Sequence, residues 1–307
     1  MKGVFYKYLT MNNCNLKQEN NQEWKIESNF LYEIENNETV KVIKQGDSFA
    51  DIVYMDKVAK PNIKKINANE YIDLSTGEIR AFNHLDGKQS IRSLKNTFKR
   101  LIGLIRCNFT EGSDKQLFIT LTYAENMTDT KRLYNDFKKF YQKLKRKYKE
   151  HKFEYVVVAE PQDRGAWHFH LMLKSDRYLF IDNREMEKIW GFGWTETERL
   201  KSDDVGTYYV AYFTNLETEC NSDQEQKKTK KHIKGSRLHY YPKGFNFYRC
   251  SRGLKKPEIT YSTWGEVVEE YGSPTWQGSY SFYCYEDGKK QEKNLVHKAS
   301  FKKSNIE

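Results

Sequence analysis

Two alternating runs joined by a short turn constrain this chain more than any other feature. The runs are EYVVVAE, ending at Glu160, and WHFHLMLK, beginning at Trp167, and the segment between them contains Pro161 and Gly165. A connector of that length and composition reads as the loop of a hairpin. Successive side chains on a strand point to opposite faces. Trp167, Phe169, Leu171 and Leu173 therefore share an apolar face that should be core, while His168, His170 and Met172 share the other. On the first run Val156, Val158 and Glu160 share a face, so the hairpin can bring a carboxylate beside both imidazoles.

Two imidazoles two residues apart on a strand can reach one divalent ion. A chain with 7 histidines in 307 residues yields about 0.16 His-x-His pairs by chance, so the pair alone is a modest signal. Histidines satisfied within the fold or exposed to water are the competing reading, as is a solvated strand end for Glu160. Taken together, Glu160, His168 and His170 form a candidate ligand set that leaves open positions for phosphate oxygen and water. Mixed oxygen and imidazole donors suit Mn²⁺ or Mg²⁺; Zn²⁺ would lack thiolates here. The five cysteines, Cys14, Cys107, Cys220, Cys250 and Cys284, contain no C-x-x-C pair. They read as reduced thiols, not a disulfide framework or zinc ribbon.

The flanking sequence supplies further elements. A helix beginning at Ser90 repeats Ile91, Leu94, Phe98, Leu101, Ile102 and Ile105 at steps of three and four. Leu117–Tyr123 alternates as a strand, and a helix from Thr130 to about Lys149 follows, with Asp129 as its N-cap and Leu133, Phe137, Phe140, Leu144 and Tyr148 as its buried stripe. A short helix over Asn183–Trp190 closes at Gly191, a polar strand runs through about Glu198, and a further helix is expected over Asp203–Leu216. The expectation is an α+β fold: a central antiparallel sheet with helices packed on its apolar face and the histidines on the other. Residues 1–86 read as an N-terminal extension and 259–307 as a partly disordered tail, around a domain at 87–258.

Composition narrows the partner. With 52 Lys+Arg against 42 Asp+Glu the formal net charge is +10, and aromatics make up 15% of the chain. Basic side chains neutralise phosphates and aromatic rings stack on unpaired bases, so nucleic acid fits; a basic protein with no such partner fits equally well on composition alone. No apolar run approaches the roughly 18 residues of a membrane span. The first residues lack the pattern of a secretory signal, which points to the cytoplasm and away from a membrane partner. On the expected helix over 203–216, Tyr208 and Tyr212 lie four residues apart and share a face, whereas Tyr209 joins Val205, Phe213 and Leu216 on an apolar stripe. Chance gives about 1.6 such Tyr-x-x-x-Tyr pairs, so the weight rests on their position after the His-x-His strand.

Three blocks in this order resemble the HUH endonucleases, and among them the two-tyrosine rolling-circle replication initiators of bacterial plasmids and phages. They are FITLTY at 118–123, HFHLML at 168–173 and VGTYYVAYFTN at 205–215. The resemblance implies an RRM- or ferredoxin-like fold and nicking of single-stranded DNA at a replication origin by metal-assisted transesterification. Tyr208 or Tyr212 would be the nucleophile, giving a 5′-phosphotyrosine and a free 3′-OH. Many relatives carry a lysine three residues after that tyrosine; here Ala211 follows Tyr208 at that spacing and Tyr212 follows Tyr209, which leaves the choice among the three tyrosines open. Thr120 and Thr122 fall in the block that ends near DNA. Lys138, Lys139, Arg237, Arg249 and Arg252 are the basic candidates for holding the strand, although a run of lysines on a helix is also an ordinary solvated face. No G-x-x-x-x-G-K-[ST] motif is present, so a host helicase and polymerase would be partners.

Three other readings compete. A single-strand transposase or relaxase shares the chemistry but moves different DNA. A non-catalytic RRM-like module would keep its function without metal, and a metal-dependent hydrolase would use water and form no covalent adduct.

Overall fold

A computed structural model describes residues 25–27, 30–57, 63–67, 69–74, 76–82, 91–110, 112–162, 164–200, 240–242, 244–286 and 289–303. Its first strands are β1 (Lys25–Glu27), β2 (Thr39–Gln45), β3 (Phe49–Met55), β4 (Ile63–Lys65), β5 (Glu70–Asp73) and β6 (Ile79–Ala81). There follow α1 (Ile91–Arg106), β7 (Gln116–Thr122), α2 (Thr130–Lys147), β8 (Glu154–Pro161), β9 (Trp167–Lys174), α3 (Asn183–Trp190), β10 (Thr195–Glu198) and β11 (Tyr248–Cys250). The last are β12 (Glu258–Thr263), α4 (Trp264–Tyr271), β13 (Trp276–Glu286) and β14 (Lys289–Lys302). The chain divides into two compact units, one formed by 89–257 and the other by 1–88 together with 258–307. None of the described helices is long and apolar enough to cross a membrane.

The unit at 89–257 holds a five-stranded sheet in the order β10-β7-β9-β8-β11, antiparallel throughout. The run β7-α2-β8-β9-α3-β10 is a βαββαβ chain, and its strand order is that of the ferredoxin-like fold. The fold is thus the α+β architecture expected, with β11 added at one edge. Asp129 caps α2 by accepting a hydrogen bond from the Lys131 amide. Gly191 ends α3 at φ 71°, a conformation that glycine adopts without strain.

Helices pack on both faces of this sheet. Leu133, Phe137, Phe140 and Leu144 of α2 and Met186, Ile189 and Trp190 of α3 bury against Leu117, Ile119, Leu121, Val157, Phe169, Leu171 and Leu173. This is the apolar face that the alternation predicts. On the opposite face Phe98, Leu101, Leu104 and Ile105 of α1 pack with Val156, Val158 and Met172. The histidine face is therefore not simply open: α1 closes off the Met172 end, and Met172 is itself buried.

In the other unit a six-stranded antiparallel sheet runs β1-β13-β14-β3-β2-β12. Residues expected to form a partly disordered tail are instead paired strands. The reason is that β13 and β14 form a long hairpin, and β14 then pairs β3 from residues 49–55. One face of the sheet carries Val40, Val42, Ala50, Ile52, Ala299 and Phe301 under Val267 and Tyr271 of α4. Thr263 and Glu266 form a reciprocal capping box that starts α4. A separate three-stranded sheet, β4-β5-β6, lies within residues 63–81.

Candidate functional site

Strand register brings the three candidate ligands together. Glu160 on β8 lies directly opposite His168 on β9, and His170 lies opposite Val158. The hairpin turn is fixed by backbone bonds from the Gln162 amide to the Ala166 carbonyl and from the Gly165 amide to the Gln162 carbonyl. Gly165 has φ 81°, and a β-carbon there would meet the Tyr240 ring at 2.9 Å. The end of β8 is also held by the segment after residue 239. The Ala159 carbonyl accepts from the Tyr241 hydroxyl at 3.0 Å, and the Ala159 amide donates to the Phe247 carbonyl at 3.1 Å.

The donor atoms converge closely. Glu160 Oε2 lies 3.0 Å from His170 Nε2 and 3.5 Å from His168 Nε2, and the two Nε2 atoms are 2.9 Å apart. Metal–ligand bonds of about 2.1 Å set at right angles place neighbouring donors about 3.0 Å apart. One small divalent cation held by all three residues therefore fits this spacing, and the set of two imidazoles and one carboxylate can bind a divalent metal. The side chains are mostly enclosed, at 8% exposure for Glu160, 10% for His168 and 15% for His170. Burial acts to raise the Glu160 pKa, but hydrogen bonds and charge from His168 and His170 outweigh it and hold the carboxyl down at about 2. Glu160 is thus ionised, as a ligand must be.

Thr120 supplies a neighbour that sequence reasoning placed on DNA instead. It lies opposite His170 in the β7–β9 register, and its Oγ1 is 3.4 Å from His170 Nδ1. The outer nitrogen of a ligating imidazole normally finds such a partner, which fixes ring orientation. The Phe118 ring stacks on His170 at 5.8 Å between centroids, giving a second restraint. Thr122 lies opposite His168, and His168 Nδ1 is buried with no hydrogen-bond partner among the described residues.

The basic candidates do not gather at this site. Lys138 and Lys139 are exposed on α2, which packs on the opposite sheet face. Lys139 Nζ lies 3.7 Å from the buried Asp136. Arg249 pairs with Val157 in the β8–β11 register and so points to the α2 side, where its guanidinium lies 3.8 Å over the Tyr134 ring. Arg252 is exposed in the turn after β11. Tyr208, Tyr209, Tyr212 and Arg237 lie outside the described residues, as does the expected helix over 203–216. In the aromatic segment that follows them, Tyr241, Phe245 and Phe247 are taken up in packing against Trp167 and one another.

Asp136 is a buried charge that the sequence pattern did not reveal. It accepts from Arg132 Nε at 2.8 Å and from the Tyr123 hydroxyl at 3.3 Å, tying α2 to the end of β7. The i to i+4 spacing of Arg132 and Asp136 was the available signal.

Residues 116–217 match the family model for the Replication-associated protein ORF2 group. This part of the chain is of the rolling-circle replication initiator family. The matched span contains the whole Glu160–His168–His170 cluster and, in sequence, Tyr208 and Tyr212. No curated protein and no solved structure matches the chain.

Proposed function

We infer that this chain is an initiator of rolling-circle DNA replication that nicks and rejoins single-stranded DNA at an origin through a tyrosine nucleophile. The observation that carries the reading is the convergence of Glu160, His168 and His170 within a span matched to the replication-associated family. In this reading the three residues hold a divalent cation, Mn²⁺ or Mg²⁺. That ion supplies Lewis-acid neutralisation of the scissile phosphate. Thr120 and Phe118 keep the His170 ring aimed, and Thr122 lines the strand end beside His168.

The nucleophile is the phenol of Tyr208 or Tyr212. Its pKa of about 10 requires that the proton leave to solvent as the oxygen attacks. A bond forms between phosphorus and the tyrosine oxygen, and the bond from phosphorus to the 3′-oxygen breaks. The 3′-oxygen takes a proton and becomes the 3′-OH that a host polymerase extends, behind a host helicase. The phosphotyrosine retains the phosphoester, so attack by a 3′-OH reseals the strand without ATP. A second tyrosine one helical turn away would allow a second cut while the first holds the DNA. This chemistry belongs in the cytoplasm, where the origin is found.

The test is incubation of the full chain with Mn²⁺ and an end-labelled single-stranded origin oligonucleotide, followed by a denaturing gel. A covalent protein–DNA band should form, and it should vanish in Y208F/Y212F and after chelation of metal. A band that persists in the double variant transfers the role to Tyr209. Absence of a band with wild-type protein on every origin strand overturns the nicking reading.

A further inference from the structure

The six-stranded sheet has one face under α4 and another that none of the described elements covers. Cross-strand register assigns residues to that second face. Tyr261, Lys41, Val53 and Lys298 lie directly opposite one another across β12, β2, β3 and β14. Tyr280 and Trp276 join them from β13, because Tyr280 pairs Val296 and Trp276 pairs Ser300. Tyr261 is 70% exposed, and Trp276 and Tyr280 are half-buried. Lys298 Nζ lies 4.9 Å from the Tyr280 ring centroid. The Trp276 ring lies across Gly278, where a β-carbon would meet it at 3.1 Å, so the indole rests flat along the sheet.

Charge on this face is one-sided. Among its described residues the carboxylate is Asp51, which accepts from Gln45 Nε2 at 2.9 Å and from Ser300 Oγ at 2.8 Å. It faces inward into the strand network, while Lys41 and Lys298 stand about 10 Å apart across two strand spacings. Half-exposed aromatic rings interleaved with lysines on a flat sheet match the needs of an unpaired polynucleotide: rings stack on bases and ammonium groups sit at phosphates. A flat sheet face does not enter a duplex groove as a helix or two-stranded ribbon does.

We propose that this open sheet face binds single-stranded DNA, as a second contact surface apart from the Glu160–His168–His170 site. The choice of DNA rests on the replication reading above, but the surface requires no nicking step.

The experiment uses the full chain in EDTA, where cleavage is blocked, with a single-stranded oligonucleotide carrying 5-iododeoxyuridine. After irradiation, cross-links mapped by mass spectrometry should fall on Tyr261, Tyr280 or Trp276. Cross-links confined to residues 89–257 overturn the proposal. In a salt titration of binding, K41A/K298A should flatten the slope of log K against log salt by about 1.4, from about 0.7 for each lost phosphate contact, with an unchanged melting temperature. An unchanged slope in a folded variant overturns it. A duplex of the same sequence should compete at least tenfold more weakly, and equal competition also counts against it. The E160A/H168A/H170A variant should keep the Tyr261, Tyr280 or Trp276 cross-links while forming no covalent adduct, which separates failure of this surface from failure of the nicking reading.

Discussion

The two sheets place histidines on their strands in contrasting ways. In the five-stranded sheet, His168 and His170 meet Glu160 with donor atoms 2.9 to 3.5 Å apart. In the six-stranded sheet, His297 is 1% exposed and packs edge-on to Trp264; its Nδ1 is 2.8 Å from Ser279 Oγ, and its Nε2 has no partner among the described residues. Burial pushes the His297 pKa down to about 4, so that imidazole stays neutral. Enclosure alone yields a core histidine. A carboxylate within bonding reach of two imidazoles is what turns enclosed histidines into a ligand set.

Removing the carboxylate breaks that contrast most completely. E160A should lower Mn²⁺ affinity by more than about 100-fold in titration calorimetry, because a direct ligand is worth more than the roughly 10–100-fold of a supporting neighbour. Retention of wild-type affinity would dissolve the proposed centre. Next in size is the pH response of His297. The folded pKa of about 4 lies below the model value of 6.5, so the unfolded chain binds an extra proton between those values. Stability should therefore fall as pH drops from 6.5 towards 4, by up to about 3 kcal/mol. Urea melts across that window should show the loss, and H297Q should flatten this part of the profile.

A smaller effect sharpens the view of the ligand shell. T120V should weaken Mn²⁺ binding about tenfold, while T120S should restore it, if Thr120 Oγ1 orients His170. Equal affinity in both variants would leave Thr120 free for contact with DNA. The smallest change is expected for K138A, whose side chain lies on the α2 face away from the centre. Metal affinity should stay within twofold and stability within about 0.5 kcal/mol.

The hairpin was legible because alternation and a Pro/Gly turn are local signals. Each of Trp167, Phe169, Leu171 and Leu173 is buried on the predicted face, and register then puts Glu160 beside His168 without any long-range information. The boundaries of α2 and α3 were readable for the same reason, through Asp129, Asp182 and Gly191. The six-stranded sheet was not readable. Its β14–β3 pairing joins residues nearly 250 positions apart, and sequence pattern carries no record of which distant strand completes another. The capping box of Thr263 and Glu266 was a local cue to α4, masked by its strand-prone neighbours. At the site, the arginine on β11 looked like a ligand for DNA because its charge is visible in sequence. The face it occupies depends on pairing with Val157, which is not.

The unit that carries the histidine hairpin is inserted within the other one, since the chain leaves the six-stranded sheet before residue 89 and rejoins it at Glu258. During synthesis on the ribosome, β2 and β3 emerge early and form their own ribbon, yet β3 stays without its second neighbour until β14 has been translated. The inserted unit has all its strands by Cys250 and can finish folding first. An interruption of translation between those points would release a complete hairpin-bearing unit beside an unfinished sheet with a bare edge, a species poised to pair with other chains.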